Sequence, residues 1–293
     1  MDFVQIEFAL GSADADALGD VLSEAGALSV TFMDAADEPV LEPLPGEVRL
    51  WSQTTVSALF DDSLTQAARL EQVTALLDAD AAATARARAL ADRAWEREWL
   101  QHFRPMRFGR RLYVYPTASE EPVPQDAAVV WLDPGLAFGT GTHATTAQCL
   151  EMIDARDWRG ASVLDYGCGS GILCIAALLL GAATGYAVDI DPQAITALRE
   201  NALRNGVWDK IRALPAQAPL VPVDCVVANI LAQPLIELAP RLSAACRPGG
   251  DLILSGILED QAATVIDAYA PTCSLSEHRR REGWSCLRLS RRG

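Results

Sequence analysis

Seven residues, Asp165-Tyr166-Gly167-Cys168-Gly169-Ser170-Gly171, lie between two apolar runs and restrict the fold more than any other part of the chain. Val163-Leu164 ahead of them reads as a buried strand, and Ile172 to Leu180 behind them is apolar enough for a buried helix. Alternate glycines at such a junction let the backbone turn sharply and let a ligand approach, because no Cβ stands in the way. The pattern repeats downstream. Gly185 to Ile190 predicts a strand, and Pro192 to Asn205 predicts a helix with proline near its start, where it is tolerated. Val223 to Ile230, Asp251 to Leu254 and Trp284 to Leu289 read as strands; Leu235 to Cys246 and Gln261 to Tyr269 read as helices. Such alternation builds a mainly parallel sheet covered on both faces.

A Gly-x-Gly-x-Gly run alone is a weak signal, since the dinucleotide fingerprint is Gly-x-Gly-x-x-Gly in the same setting. Two neighbours sharpen it. Asp165 places an acid where a pyrophosphate would otherwise lie, which suits a cationic ligand. Asp189 ends the next predicted strand, 18 positions after Gly171, where a carboxylate can accept both hydroxyls of a ribose. A nicotinamide dehydrogenase is disfavoured by the glycine spacing.

The front of the chain is different. Val4, Ile6 and Phe8 alternate with polar residues as a half-buried strand does, and Ala13 to Ala25 predicts a helix with Ala17, Leu18, Val21 and Leu22 on one stripe. Leu28 to Phe32 is a second strand, Pro39 to Gly46 a loop, Val48 to Phe60 strand material, Leu64 to Leu77 a helix and Ala85 to Leu90 a last strand. That order predicts a small α+β sandwich of ferredoxin-like type over residues 1–92. Asp92 to Phe103 then reads as a linker helix (93–104 as a segment), with Trp95 and Trp99 on one face for packing, followed by strands around Gly109 and a loop at 118–126. The remaining domain is expected to span residues 105–293.

Charge divides the same way. The net −15 is concentrated in residues 1–90, which hold 16 acids and 4 arginines, whereas residues 91–111 hold 3 acids and 6 arginines. A −12 segment repels a phosphate backbone and attracts a basic partner. Seven cysteines without a Cys-x-x-Cys pair, three scattered histidines and no apolar stretch of membrane-spanning length argue against a disulfide framework, a metal centre and a membrane span. No secretory signal is visible at Met1-Asp2-Phe3, so a cytoplasmic location is expected.

The chain resembles the class I S-adenosylmethionine methyltransferases and, more closely, the PrmA family that methylates ribosomal protein L-eleven. The likeness rests on Glu42 to Glu47, Trp95 to Trp99, Leu132-Asp133-Pro134-Gly135-Leu136-Ala137-Phe138-Gly139-Thr140-Gly141-Thr142-His143, the Asp165 to Gly171 motif, Asp189-Ile190-Asp191-Pro192 and Ala228-Asn229-Ile230-Leu231. It implies a Rossmann-like α/β catalytic domain behind a smaller substrate-recognition domain, with S-adenosyl-L-methionine as cofactor. It also implies a basic ribosomal protein as substrate, methylated at lysine side chains and its N-terminal amine, by an enzyme expected to be monomeric and to make no direct contact with nucleic acid or membrane. By motif position, Thr146, Asp165, Gly167, Gly169, Gly171, Asp189 and Asn229 would hold the cofactor. Asn229 and Phe138 would serve the transfer, with Phe138 and the Gly139-Thr140-Gly141 loop covering the methyl donor.

The chemistry agrees with those assignments. An amine attacks only when neutral, yet a lysine has a pKa of about 10.4. A neutral acceptor such as the side-chain oxygen of Asn229, or the Ile230 carbonyl, orients an amine without favouring its ammonium form as a carboxylate would. A glutamine amide or another protein is the alternative substrate; adenine is disfavoured because Asn229 is followed by Ile230-Leu231 rather than by Pro-Pro and an aromatic. His143 reads equally as a helix cap and as a base, and Cys168 reads as a small apolar filler rather than a nucleophile.

Overall fold

The computed structural model describes residues 3–10, 15–35, 53–90, 104–133 and 141–293. The expected loop at Pro39 to Gly46, the start of the strand predicted from Val48, the helix at Asp92 to Phe103 and the Phe138 segment lie outside the described residues. The chain divides into two compact units, Met1–Trp95 and Glu96–Gly293.

In the first unit the order is β1 (Phe3–Ala9), α1 (Ala15–Glu24), β2 (Ser29–Asp34), β3 (Thr54–Asp61), α2 (Gln66–Thr74), α3 (Ala79–Thr84) and β4 (Arg86–Leu90). The strands form an antiparallel sheet in the order β2-β3-β1-β4, the ferredoxin-like arrangement. Val4, Ile6 and Phe8 on β1 and Val56, Ala58 and Phe60 on β3 point to one face and bury against Leu18, Leu22 and Val73 of the helices. The helical stripe differs from the expected one: Ala15, Leu18 and Leu22 are buried, while Val21 is 38% exposed. The short α3 was not visible in the sequence; Asp78 starts it by accepting from the N–H of Ala81 at 2.8 Å.

The second unit begins with a three-stranded sheet, β5 (Met106–Phe108), β6 (Leu112–Tyr115) and β7 (Ala128–Trp131), followed by α4 (Ala144–Asp154). The βα alternation then runs β8 (Ser162–Tyr166), α5 (Ile172–Leu179), β9 (Thr184–Val188), α6 (Pro192–Arg204), β10 (Ile211–Leu214), β11 (Val223–Asn229), α7 (Ala232–Glu237), α8 (Ala239–Ala245), β12 (Cys246–Leu258), α9 (Ala262–Tyr269), β13 (Cys273–Arg281) and β14 (Trp284–Arg291). The sheet order is β10-β9-β8-β11-β12-β14-β13, with β14 antiparallel to both neighbours and the other six strands running in one direction. This is the Rossmann-like class I methyltransferase sheet.

Period-two alternation sends successive residues of the central strands to opposite faces. Val163, Cys225 and Val227 join one apolar cluster with α4 and α5; Leu164, Val226 and Ala228 join a second with α7, α8 and α9. Two expectations need correction. The single helix at Leu235 to Cys246 is two, meeting at Leu238, because Pro240 has no N–H to give and its ring crowds the carbonyl four residues back. The strand at Asp251 to Leu254 is longer, Cys246–Leu258, because a register shift absorbs Pro248-Gly249-Gly250.

One carboxylate fastens the small sheet to α4, the helix that packs on the large one. Asp154, the last residue of α4, accepts backbone N–H bonds from Arg110 (2.6 Å), Arg111 (3.1 Å) and Leu112 (3.1 Å) at the β5–β6 turn. Gly109 has φ +75° there, and any Cβ would strike Asp154. Asp154→Ala strands three backbone donors and is expected to destabilise the protein by roughly 3 kcal/mol. Chemical denaturation measures this; a loss below about 0.5 kcal/mol would contradict the arrangement.

Candidate active site

The loop after β8 is built from glycines because its backbone demands them. Gly167, Gly169 and Gly171 have φ of +73°, +50° and +78°, in the left-handed region that L side chains avoid. A Cβ at Gly167 would meet Ile230 at the end of β11, and one at Gly171 would meet Leu198 of α6. The loop is held from below by the neighbouring strand: the N–H groups of Gly167 and Cys168 both donate to the Val188 carbonyl, at 2.8 and 3.1 Å.

Asp189, just past β9, is fixed by two backbone donors. Its Oδ2 accepts from Gly169 at 2.9 Å and its Oδ1 from Asp191 at 3.0 Å. Each oxygen keeps an open lone pair, so the carboxylate is aimed and still able to accept a diol. Asn229 ends β11 beside Thr146 of α4; its Nδ2 donates to Thr146 Oγ1 at 3.2 Å, while its Oδ1 is buried with no partner among the described residues.

These groups border a cavity of 480 Å³ at the carboxyl ends of the parallel strands, where open α/β sheets bind ligands. Thr146, Gly167, Gly169, Asp189 and Asn229 all line it. Ile190 and Leu231 also line it, although they are 86% and 51% exposed, which leaves an apolar rim open to a flat ligand. Tyr166 forms part of the wall under the guanidinium of Arg241, 5.6 Å from its ring centroid. Arg241 also donates to the carbonyls of Ala216 and Ala218 at 2.7 and 2.8 Å, tying down the loop after β10. Nothing in the spacing of Arg241 pointed to this, since it lies in a helix far along the chain.

Two expected site residues are elsewhere. Asp165 is fully buried beneath the glycine loop rather than in the cavity wall; its Oδ2 accepts from the N–H of Cys174 at 3.0 Å and its Oδ1 has no partner among the described residues. Burial pushes its carboxyl up to about 7, with the Cys174 N–H opposing and the charge of Asp189 adding to the rise. Gly171 caps α5 and packs under Leu198, also outside the wall. Phe138 lies outside the described residues.

His143 is the N-cap of α4: its Nδ1 accepts from the N–H of Thr145 at 3.3 Å, and its ring meets Trp284 edge-on at 5.2 Å. Cys168 lines the cavity with its thiol pushed far up by burial, which suppresses the thiolate a nucleophile would need. All seven cysteines are free and buried. Among the described residues no cluster of three or more His, Cys, Asp or Glu could hold a metal, and no helix is long and apolar enough to cross a membrane.

A sequence model of the ribosomal protein L11 methyltransferase (PrmA) family matches residues 2–292. The chain belongs to that family. It is 50% identical over 295 residues to the ribosomal protein L11 methyltransferase of Pseudomonas paraeruginosa, covering all of this chain and 99% of the relative. It is 51% identical over 297 residues to that of Sodalis glossinidius, covering all of both. The crystal structure of a ribosomal protein L11 methylase from Lactobacillus delbrueckii subsp. bulgaricus superposes with a TM-score of 0.59 at 34% identity, over 65% of this chain and all of that one. The enzyme is therefore an S-adenosylmethionine-dependent methyltransferase. The cavity fits that cofactor in kind: an aimed carboxylate for a ribose, glycines that admit close approach, and apolar walls for a base.

The ionisation of Asp165 carries a stability signature. Its folded value lies above the ordinary carboxylate value, so its contribution is full in acid and is lost as pH rises through about 7. Asp165→Asn should therefore melt progressively higher relative to wild type between pH 5 and pH 8, by several degrees. A gap that stays constant across that range in calorimetry would contradict the buried carboxyl.

Proposed function

We propose that this methyltransferase modifies the lysine side-chain amines and the N-terminal amine of ribosomal protein L11. The observation that carries the reading is the buried Oδ1 of Asn229 at the wall of the cofactor cavity, without a partner among the described residues. A buried acceptor without a donor invites a ligand N–H, and a neutral amine supplies one. The names of the relatives support L11 as the protein that presents it.

In this reading Asp189 accepts the ribose hydroxyls, Gly167 and Gly169 let the backbone close on the cofactor, and Ile190 and Leu231 flank its base. Thr146 and Asn229 lie on the side from which the amine arrives, and Phe138 covers the methyl donor. Asp165 and Gly171 shape the loop from behind. S-adenosylmethionine, when bound, supplies a methyl group on a sulfonium centre that an amine lone pair can displace in line. The chain contributes alignment, exclusion of water and selection of the neutral amine. Such alignment is worth about 7–11 kcal/mol in well-oriented systems. The domains assigned here are 1–92 for recognition, 93–104 as linker and 105–293 for catalysis. The acid-rich residues 1–90, at −12, suit a basic ribosomal protein and give an association that weakens as salt is added.

The test is intact-mass spectrometry of purified L11 incubated with enzyme and S-adenosylmethionine. Wild type should add several methyl groups, and Asn229→Ala should do so roughly 100-fold more slowly. With subsaturating L11 the rate at the lysine sites should climb about tenfold per pH unit from pH 6 to 8, because the neutral fraction of an amine with a pKa of about 10.4 does so, while the rate at the N-terminal amine levels off toward pH 8. No mass increase with wild type that binds the cofactor would remove L11 as substrate. A flat pH profile would remove the amine.

A further inference from the structure

Asparagine has two faces of opposite polarity, and only one of them is useful beside an amine nucleophile. If Nδ2 faced the cavity, its N–H groups would donate to the amine lone pair, the electrons that must attack carbon. If Oδ1 faces it, the amide accepts an amine N–H and leaves the lone pair free. The outcome depends on what holds the other end of the amide.

That holder is Thr146. Its residue is fully buried, and its Oγ1 accepts from Asn229 Nδ2 at 3.2 Å. It sits in the first turn of α4, whose start is fixed by the His143 cap and whose body packs against β11, β12 and β14. The Nδ2 bonded to Thr146 and the buried Oδ1, which has no partner among the described residues, are thus two ends of one orientation. We propose that Thr146 is a positioning residue that acts through Asn229, setting the amide so that its oxygen faces the substrate amine. The inference rests on the amine-methylating reading above and assigns Thr146 a task separate from contact with the cofactor. Threonine suits it because a β-branched side chain in a helix has few rotamers, so the hydroxyl stays where the amide needs it.

The substitution that isolates the hydroxyl is Thr146→Val, which keeps the shape; Thr146→Ser keeps the hydroxyl instead. Two readouts separate a positioning role from a merely structural one. In protein labelled with ¹⁵N-asparagine, the Nδ2 protons of Asn229 should exchange with solvent at least tenfold faster in Thr146→Val, and at the wild-type rate in Thr146→Ser. In L11 methylation at saturating S-adenosylmethionine, Thr146→Val should lower kcat roughly 30-fold, a larger factor than any rise in the calorimetric Kd for the cofactor, with Thr146→Ser restoring most of the rate. The double variant Thr146→Val/Asn229→Ala should be no slower than Asn229→Ala alone, because both changes remove one device. Losses that multiply in the double variant, or a weakened Kd with kcat intact, would overturn the proposal. Unchanged exchange in Thr146→Val would overturn it too. If wild type fails to methylate L11, the substrate reading falls, and the exchange experiment still decides whether Thr146 holds the amide.

Discussion

The turn between β8 and α5 is the constraint on which the rest of this site depends. Three residues with positive φ reverse the chain within seven positions, and the Val188 carbonyl fixes two of the resulting N–H groups. Because the third, Gly169, donates to Asp189, the loop and the carboxylate position one another. A side chain at Gly167 would push against Ile230, and one at Gly171 would push against Leu198, so three parallel strands and two helices meet through the absence of Cβ atoms. The ligand cavity is what this close approach leaves open at the strand ends.

Polar groups around that turn fall into two populations. Those facing the cavity are aimed by backbone donors or by a neighbouring helix, as Asp189 and Asn229 are. Those behind it are buried and serve the turn, as Asp165 does with the N–H of Cys174. A carboxyl raised to about 7 by burial is a cost the fold retains at the start of its ligand loop. Stability is given up where geometry is needed, a balance common to functional sites.

Much of this was legible in the sequence, for physical reasons that differ by element. The glycine run and Asp189 could be read because glycine and a strand-end acid each have few other uses in that setting. The buried strands β8 and β11 announced themselves as apolar runs, and β1 by strict alternation. The strand β13 did not: Cys273–Arg281 is a polar edge strand, held by its hydrogen bonds to β14 rather than by burial, so no periodicity marks it. The residues β10 and α3 use are too few to show a period. Asp165 was read as facing a cation, since its place in the motif is visible while the direction of its side chain is not. It turned inward because α5 offers it an N–H there. Thr146 matched by motif position, but its bond to Asn229 spans 83 residues and no local pattern encodes it.

The account stands on one claim: that the Asp189 carboxylate and the end of β11 define the two sides of a single nucleoside-sulfonium site. A crystal structure of the enzyme with S-adenosylhomocysteine tests it most directly. The account predicts both ribose hydroxyls on the Asp189 carboxylate, the base between Ile190 and Leu231, and the sulfur turned toward Asn229. A ribose held elsewhere, or a sulfur facing away from Asn229 with Asp189 still in solvent, would contradict it.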